Sequence, residues 1–151
     1  MMVNQSVGFQ DLNRLYQDLI MEHYRAPSNF GPLENPDFEA EGYNPLCGDR
    51  VKLMVKMVSG KVSACHFTGE GCSICMASAS MMTEEFEERT IDEVRTLIST
   101  FRNVMKGEAP PSEIEGDLES LIGVKEFPVR IKCVLLPWTT MNEALNKHKE
   151  S

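Results

Sequence analysis

The chain has 151 residues, of which 42% are hydrophobic and 25% charged, and its formal net charge is −8. This length suits one domain with a sizeable buried core, so we expect residues 1–151 to form a single domain. The acidic balance argues against nucleic-acid binding, because the phosphates require a basic surface. No apolar run reaches the roughly 18 residues that suggest a membrane span, and the first residues lack the pattern of a secretory signal.

The five cysteines are an odd number in a chain without secretory features. This favours reduced thiols that take part in metal or redox chemistry over a framework of disulfides. The sequence therefore predicts a cytoplasmic location.

The first half of the chain predicts one helix and a small antiparallel sheet. Apolar residues recur at helical spacing over 9–24, and Ala26-Pro27 ends that helix. Alternating residues over 50–57 predict a half-buried strand, and 61–68 its antiparallel partner. A short third strand is expected at 41–46. The apolar face of the helix is predicted to comprise Phe9, Leu12, Leu15, Tyr16, Leu19, Ile20, His23 and Tyr24, with His23 packed and hydrogen-bonded.

Three helices are predicted in the middle of the chain. One is rich in small residues and begins near Cys72. A capping box formed by Thr90 and Glu93 precedes a second helix over 91–105. A short third helix is expected around 118–122.

Pro128 suits the first position of a last helix that continues to Leu145. Pro137 stands within it and lacks the N–H that would bond to the Cys133 carbonyl. We therefore predict that this helix kinks after Cys133 or restarts at Pro137.

Three cysteines and one aspartate form a possible metal site: Cys47, Asp49, Cys72 and Cys133. Three thiolates and one carboxylate can bind zinc or hold an iron–sulfur cluster. If the chain is extended at Cys47 and Asp49, both side chains project to one face. Cys72 stands at a helix start, where the positive end of the dipole favours thiolate.

Spacing alone leaves other interpretations open. The gaps between the three cysteines are long and unequal, unlike those of a zinc finger, so inert buried cysteines are an alternative. Cys72 and Cys75 have the spacing of a redox dithiol, but no βαβ framework surrounds them. We expect Cys65 to be a core residue, Cys75 to be packed, and His66 to have a structural role.

Several motifs together resemble one known family, the U-type iron–sulfur cluster assembly proteins (IscU and the NifU N-terminal domain). The similarity runs from about residue 9 to 145. Residues 116–121 lie in an extra segment, and Lys132 stands where IscU-like chains have histidine, which places the chain in the SufU branch. The motifs are His23-Tyr24 with Pro27, Asn29-Phe30-Gly31, Asn44-Pro45-Leu46-Cys47-Gly48-Asp49, Gly69-Glu70-Gly71-Cys72-Ser73-Ile74 with Ala77-Ser78, and Cys133.

The resemblance implies an α+β fold, in which a small, about three-stranded antiparallel sheet packs against about five helices. It implies a metal site formed by Cys47, Asp49, Cys72 and Cys133. It also implies a partner, a pyridoxal-phosphate cysteine desulfurase whose persulfide sulfur the protein accepts.

We therefore hypothesise a zinc-dependent sulfurtransferase partner in which Cys47 accepts the sulfur, rather than a free-standing enzyme. Lys132 or Arg130 is expected to balance the negative charge of the zinc site. One alternative is a scaffold that builds a [2Fe–2S] cluster on Cys47, Cys72 and Cys133 and transfers it to downstream scaffolds or apo-proteins. The other is a non-catalytic zinc-binding module.

Overall fold

The computed structural model describes residues 2–150, and the side chains of residues 14–148. It has an α+β fold with one antiparallel sheet, as the sequence predicts. Besides a single-turn 3₁₀ helix at Pro111–Glu113, the described chain contains the following elements in order: α1 (Met2–Arg25), β1 (Phe38–Asn44), β2 (Asp49–Val58), β3 (Lys61–Glu70), α2 (Ser73–Phe86), α3 (Ile91–Met105), a 3₁₀ helix (Gly116–Glu126) and α4 (Pro128–Glu150).

The sheet has the strand order β1-β2-β3, and its central strand carries the predicted alternation. Val51, Leu53 and Val55 are fully buried on the face that meets the helices. The register shifts between Lys56 and Met57, so Met57, which was predicted on the same face, is only half-buried. Strand β1 begins and ends earlier than the predicted 41–46, because residues 45–48 form a turn instead.

Helix α1 lies on the outside of the molecule and contacts α2 and the Gly116–Glu126 3₁₀ helix along one side. His23 is buried and hydrogen-bonded there, as predicted. Leu15 and Tyr24, which the spacing placed on the apolar face, are exposed, because only a narrow stripe of the helix has partners over residues 14–25, where its side chains are described. The predicted core positions Phe9 and Leu12 lie outside the residues whose side chains are described.

Trp138 of α4 stands at the centre of the helical core. Its ring stacks on Phe101 at 4.2 Å between centroids and meets Phe86 edge-on at 5.6 Å. Its Nε1–H donates to Ser78 Oγ at 2.9 Å, and the Ser78 hydroxyl donates to the Val134 carbonyl at 2.6 Å. These bonds fix α2 against α4 through a residue small enough to allow close packing.

Helix α4 runs without interruption through Pro137, so the predicted restart of the helix is wrong. Helix α4 packs against β1 and α2, and this tertiary packing stabilises the helix although Pro137 cannot donate to the Cys133 carbonyl. None of the described helices combines the length and the continuous apolar character that crossing a bilayer requires.

The capping box of α3 is present as predicted, with Thr90 Oγ1 accepting from the Glu93 N–H and Glu93 Oε1 accepting from the Thr90 N–H. Hydrogen bonding of the Glu93 carboxylate to Thr90, above all to its backbone N–H, lowers the pKa of Glu93.

We predict that Thr90→Ala lowers the free energy of unfolding by about 1 kcal/mol, because one helix-end N–H loses its acceptor. Urea denaturation at neutral pH measures the change. Thr96→Ala, at an exposed position inside the same helix, is the control and should leave stability unchanged or slightly higher. Equal losses in both variants would contradict the capping role.

Candidate metal centre

Cys47 lies in the turn that joins β1 to β2, so the extended conformation considered for Cys47 and Asp49 is not the one found. Gly48 has a φ of 69°, a left-handed conformation that glycine adopts without strain. This turn, rather than a shared strand face, brings Cys47 close to Asp49, the first residue of β2. Cys47 is half-buried while its neighbours Leu46 and Gly48 are exposed, so its thiol lies at the edge of the solvent.

Asp49 is fully buried and connects the sheet to α2. Its Oδ1 accepts the Cys72 backbone N–H at 2.8 Å, and its Oδ2 lies 3.9 Å from Cys72 Sγ. Cys72 is the N-cap of α2, as its position at the helix start predicted, and its Sγ accepts the Cys75 N–H at 3.4 Å. Gly71 packs directly on the carboxylate, where an added Cβ would overlap Asp49.

Cys133 reaches the same place from the first turns of α4. It is fully buried, and its Sγ lies 3.0 Å from Cys47 Sγ. The Asn44 side-chain amide donates to Cys133 Sγ at 3.7 Å. Burial, hydrogen bonds with Cys47 and Asp49, and the nearby negative charges raise the pKa of Cys133 well above the ordinary thiol range. Without a cation, this sulfur therefore remains a thiol at neutral pH.

The four predicted ligands converge from three parts of the fold. The ligand atoms of Cys47, Asp49 and Cys133 lie within 4.8 Å of one another, and Cys72 joins them beside Asp49. Sulfurs around a tetrahedral zinc ion are about 3.8 Å apart. Small rotations of the cysteine side chains would therefore open enough space for the ion. Three sulfurs and one buried carboxylate suit zinc or an iron–sulfur cluster and do not suit magnesium or calcium.

Arg130 supplies positive charge beside this group, as one of the two predicted options. A hydrogen bond with Cys133, and then attraction to Cys72 and Cys47, raise the pKa of Arg130 further. Lys132 is exposed and makes no hydrogen bond or ion pair with the four candidate ligands in the described part of the chain.

The other cysteines and His66 lie where the sequence predicts structural roles. Cys65 is fully buried in β3, and burial followed by the charge of Glu87 raises its pKa to about 12. Cys75 is fully buried, and its burial, followed by the charges of Asp49 and the neighbouring cysteines, raises the pKa of its thiol well above the ordinary value. A raised pKa is unfavourable for a redox dithiol, which reacts as the thiolate. His66 contacts the Pro32 carbonyl at 3.3 Å, away from the metal ligands.

A second group of potential ligands lies on the other side of α2. His23 Nδ1 is 2.7 Å from Ser80 Oγ, and its Nε2 is 3.1 Å from Asp117 Oδ2 and 3.9 Å from Glu84 Oε1. Both ring nitrogens are thus satisfied within the protein. The contact with Asp117 fastens the extra segment containing 116–121 to α1.

Two residues of the site were quoted in the sequence motifs but not assigned a role. Asn44 is buried and bonds both to Cys133 and to the turn that carries Cys47. Gly71 provides the space that the Asp49 carboxylate occupies. The Asn-Pro pair is a sequence signal for a turn at Asn44. The contact of Asn44 with Cys133 has no such signal, because it joins residues far apart in the chain.

Residues 15–150 match the family model described as "NifU-like N terminal domain". The chain belongs to this family. The family that the motifs identified is therefore confirmed over nearly the whole chain.

Individual relatives carry two kinds of name. The chain is 40% identical over 140 residues to the zinc-dependent sulfurtransferase SufU of Bacillus subtilis, covering 92% of this chain and 95% of that protein. It is 36% identical over 142 residues to the iron-sulfur cluster assembly scaffold protein IscU of Streptococcus pyogenes, covering 93% of this chain and 89% of that protein. A crystal structure of a scaffold protein for the SUF system from Fervidobacterium islandicum superposes with a TM-score of 0.80 at 33% identity, covering 84% of this chain and 93% of that one.

We predict that zinc binding to the metal-free protein at pH 7 releases at least about one proton per zinc ion, because the Cys133 thiol must ionise. The apparent zinc affinity should rise with pH, since the raised pKa of Cys133 keeps it protonated at neutral pH. A pH indicator in weak buffer measures the release. Cys65→Ala, which alters a thiol outside the site, is the control and should release the same number, and zinc binding without proton release would contradict the assignment.

Gly71→Ala should weaken zinc binding, because its methyl group displaces the Asp49 carboxylate. We expect a loss of about 1–3 kcal/mol in stability from the same overlap. Competition with a coloured chelator measures the affinity. Gly123→Ala is the matched control, since its Cβ would enter open space, and it should bind zinc normally. Equal zinc affinity in both variants would contradict the role of Gly71.

Proposed function

We propose that this protein accepts sulfur from a cysteine desulfurase during iron–sulfur cluster assembly, using a zinc site formed by Cys47, Asp49, Cys72 and Cys133. The observation that carries the proposal is the convergence of a half-exposed thiol, Cys47, with a fully buried carboxylate and a fully buried thiol. The similarity to a relative named as a zinc-dependent sulfurtransferase supports this choice of metal and activity.

The donor set fits zinc, and the bound ion would keep the thiolates ionised at neutral pH. Three thiolates and one carboxylate around a divalent cation leave a charge near −2, which Arg130 partly balances. Asp49 and Cys133 are buried and held by hydrogen bonds. Cys47 lies on an exposed turn, so it is the donor that a partner's active site can reach.

The transfer itself is an exchange between sulfur atoms. The Cys47 thiolate attacks the outer sulfur of a persulfide on the desulfurase cysteine. A new S–S bond forms at Cys47, the old S–S bond breaks, and the desulfurase cysteine leaves as a thiolate. The sulfur keeps its oxidation state, so no external oxidant or reductant takes part.

Exposed apolar side chains near Cys47 and Cys133 in the chain favour a protein partner. Tyr43 and Leu46 flank the turn that carries Cys47, and Leu46 is 68% exposed. Phe127 and Val129 are exposed at the start of α4, a few residues before Cys133. Large exposed apolar residues near a reactive group are typical of an interaction surface.

Cys47→Ala should abolish sulfur acceptance. The test incubates the zinc-loaded protein with a pyridoxal-phosphate cysteine desulfurase and cysteine, then locates the added sulfur atom by peptide mass spectrometry. Cys65→Ala is the control and should accept sulfur normally, because this thiol lies in the core of the sheet. Full transfer to the Cys47→Ala variant would overturn the assignment.

A second candidate function is a scaffold that assembles and transfers a [2Fe–2S] cluster. The donor set favours this function, because it combines three sulfurs, of Cys47, Cys72 and Cys133, with a carboxylate oxygen. The oxygen is a weaker cluster ligand than sulfur and so permits release of the cluster. The relative named as a scaffold supports it. Anaerobic reconstitution with iron and sulfide, followed by transfer to an apo-ferredoxin, distinguishes the two, and absence of a transferable cluster counts against the scaffold.

A further inference from the structure

The three candidate sulfur ligands differ in the N–H groups that donate to them. Cys133 Sγ receives the Asn44 amide at 3.7 Å and also interacts with the exposed Arg130 guanidinium. Cys72 Sγ receives the Cys75 backbone N–H at 3.4 Å. The hydrogen bond that reaches Cys47 Sγ comes from the Cys133 thiol, and no N–H group within residues 14–148 donates to it.

Hydrogen bonds from N–H groups to a thiolate reduce its negative charge and its tendency to attack other sulfurs. Such bonds from residues outside the ligand set also tune how tightly each ligand holds a metal. The donors therefore distinguish two sulfurs that remain bound from one that stays reactive. Within the described part of the chain, Cys47 is the candidate sulfur ligand that no N–H group donates to, and it is also the one on the exposed turn.

Asn44 contacts both the bound sulfur, Cys133, and the turn that carries the reactive one, Cys47. Its Nδ2 donates to Cys133 on α4, while its Oδ1 accepts the Leu46 N–H at 3.3 Å and so shapes the turn that carries Cys47. Asn44 as a whole residue is 6% exposed, and it pairs with Asp49 across the first two strands. One buried amide thus connects the turn, the strand pair and α4.

We propose that Asn44 is a positioning residue that retains Cys133 as a bound thiolate and presents Cys47 as the reactive one. This inference rests on the proposed function, because it explains why one cysteine of the site accepts the sulfur. On this view, a neutral amide determines which of two chemically identical cysteine ligands stays bound and which one reacts.

Two substitutions separate the two roles of the amide. Asn44→Ala removes both hydrogen bonds of the side chain, whereas Asn44→Asp keeps an oxygen for the Leu46 N–H and removes the amide donor to Cys133. Arg130 stays beside Cys133 in both variants. Asn103→Ala, on the exposed side of α3, is the control. Far-UV circular dichroism of each metal-free variant establishes folding, and Asn44→Asp carries the test if Asn44→Ala does not fold.

The first measurement is zinc affinity by competition with a coloured chelator. We expect both Asn44 variants to bind zinc about 10–100-fold more weakly than the unmodified protein, the usual effect of losing such an outer contact. The second is the absorption spectrum of the cobalt-substituted protein. The sulfur-to-cobalt charge-transfer band should move to lower energy in both variants, because the Cys133 thiolate becomes more electron-rich.

Normal affinity and spectrum in Asn44→Asp, with a change in Asn44→Ala, would overturn the donor role and leave only a role in the turn. Normal behaviour or tighter binding in both variants would overturn the inference while the proposed function stands. Failure of the unmodified protein to bind either metal would overturn the proposed function itself, and this inference with it.

Discussion

The hydrogen bond from the Cys72 N–H to the buried Asp49 carboxylate is the constraint on which the site depends. Burying an ionised carboxylate costs several kcal/mol unless strong donors or a cation compensate it. The start of α2 offers both an N–H group and the positive end of the helix dipole, at 2.8 Å from Oδ1. The position of Asp49 at the start of β2 therefore fixes where α2 begins relative to the sheet.

Packing between α2 and α4 determines the position of the third cysteine. The bonds from Trp138 to Ser78 and from Ser78 to Val134 hold the two helices together one residue beyond Cys133. The aromatic contacts of Trp138 with Phe86 and Phe101 make this part of the core rigid. Cys133 is thus placed by the core, while Cys47 is placed by a turn at the surface.

Such a division suits a centre that must both hold an ion and react with another protein. Asp49 and Cys133 are fully buried and have partners within the protein. Cys47 has a solvent-facing turn around it, with Leu46 exposed beside it. The exposed Arg130 provides positive charge close to the sulfurs.

Local patterns in the sequence determined most of the elements and the identity of the candidate ligands. The alternation around Leu53, the Thr90 capping box and the Asn44–Asp49 motif each depend on residues close together in the chain, so their signals are readable in the sequence.

Other features depended on contacts between distant segments. Exposure of Leu15 follows from which side of α1 has neighbours, and the unbroken helix at Pro137 follows from packing on β1 and α2. The bond from Asn44 to Cys133 joins residues 89 positions apart, and only the packing of α4 on β1 brings them together.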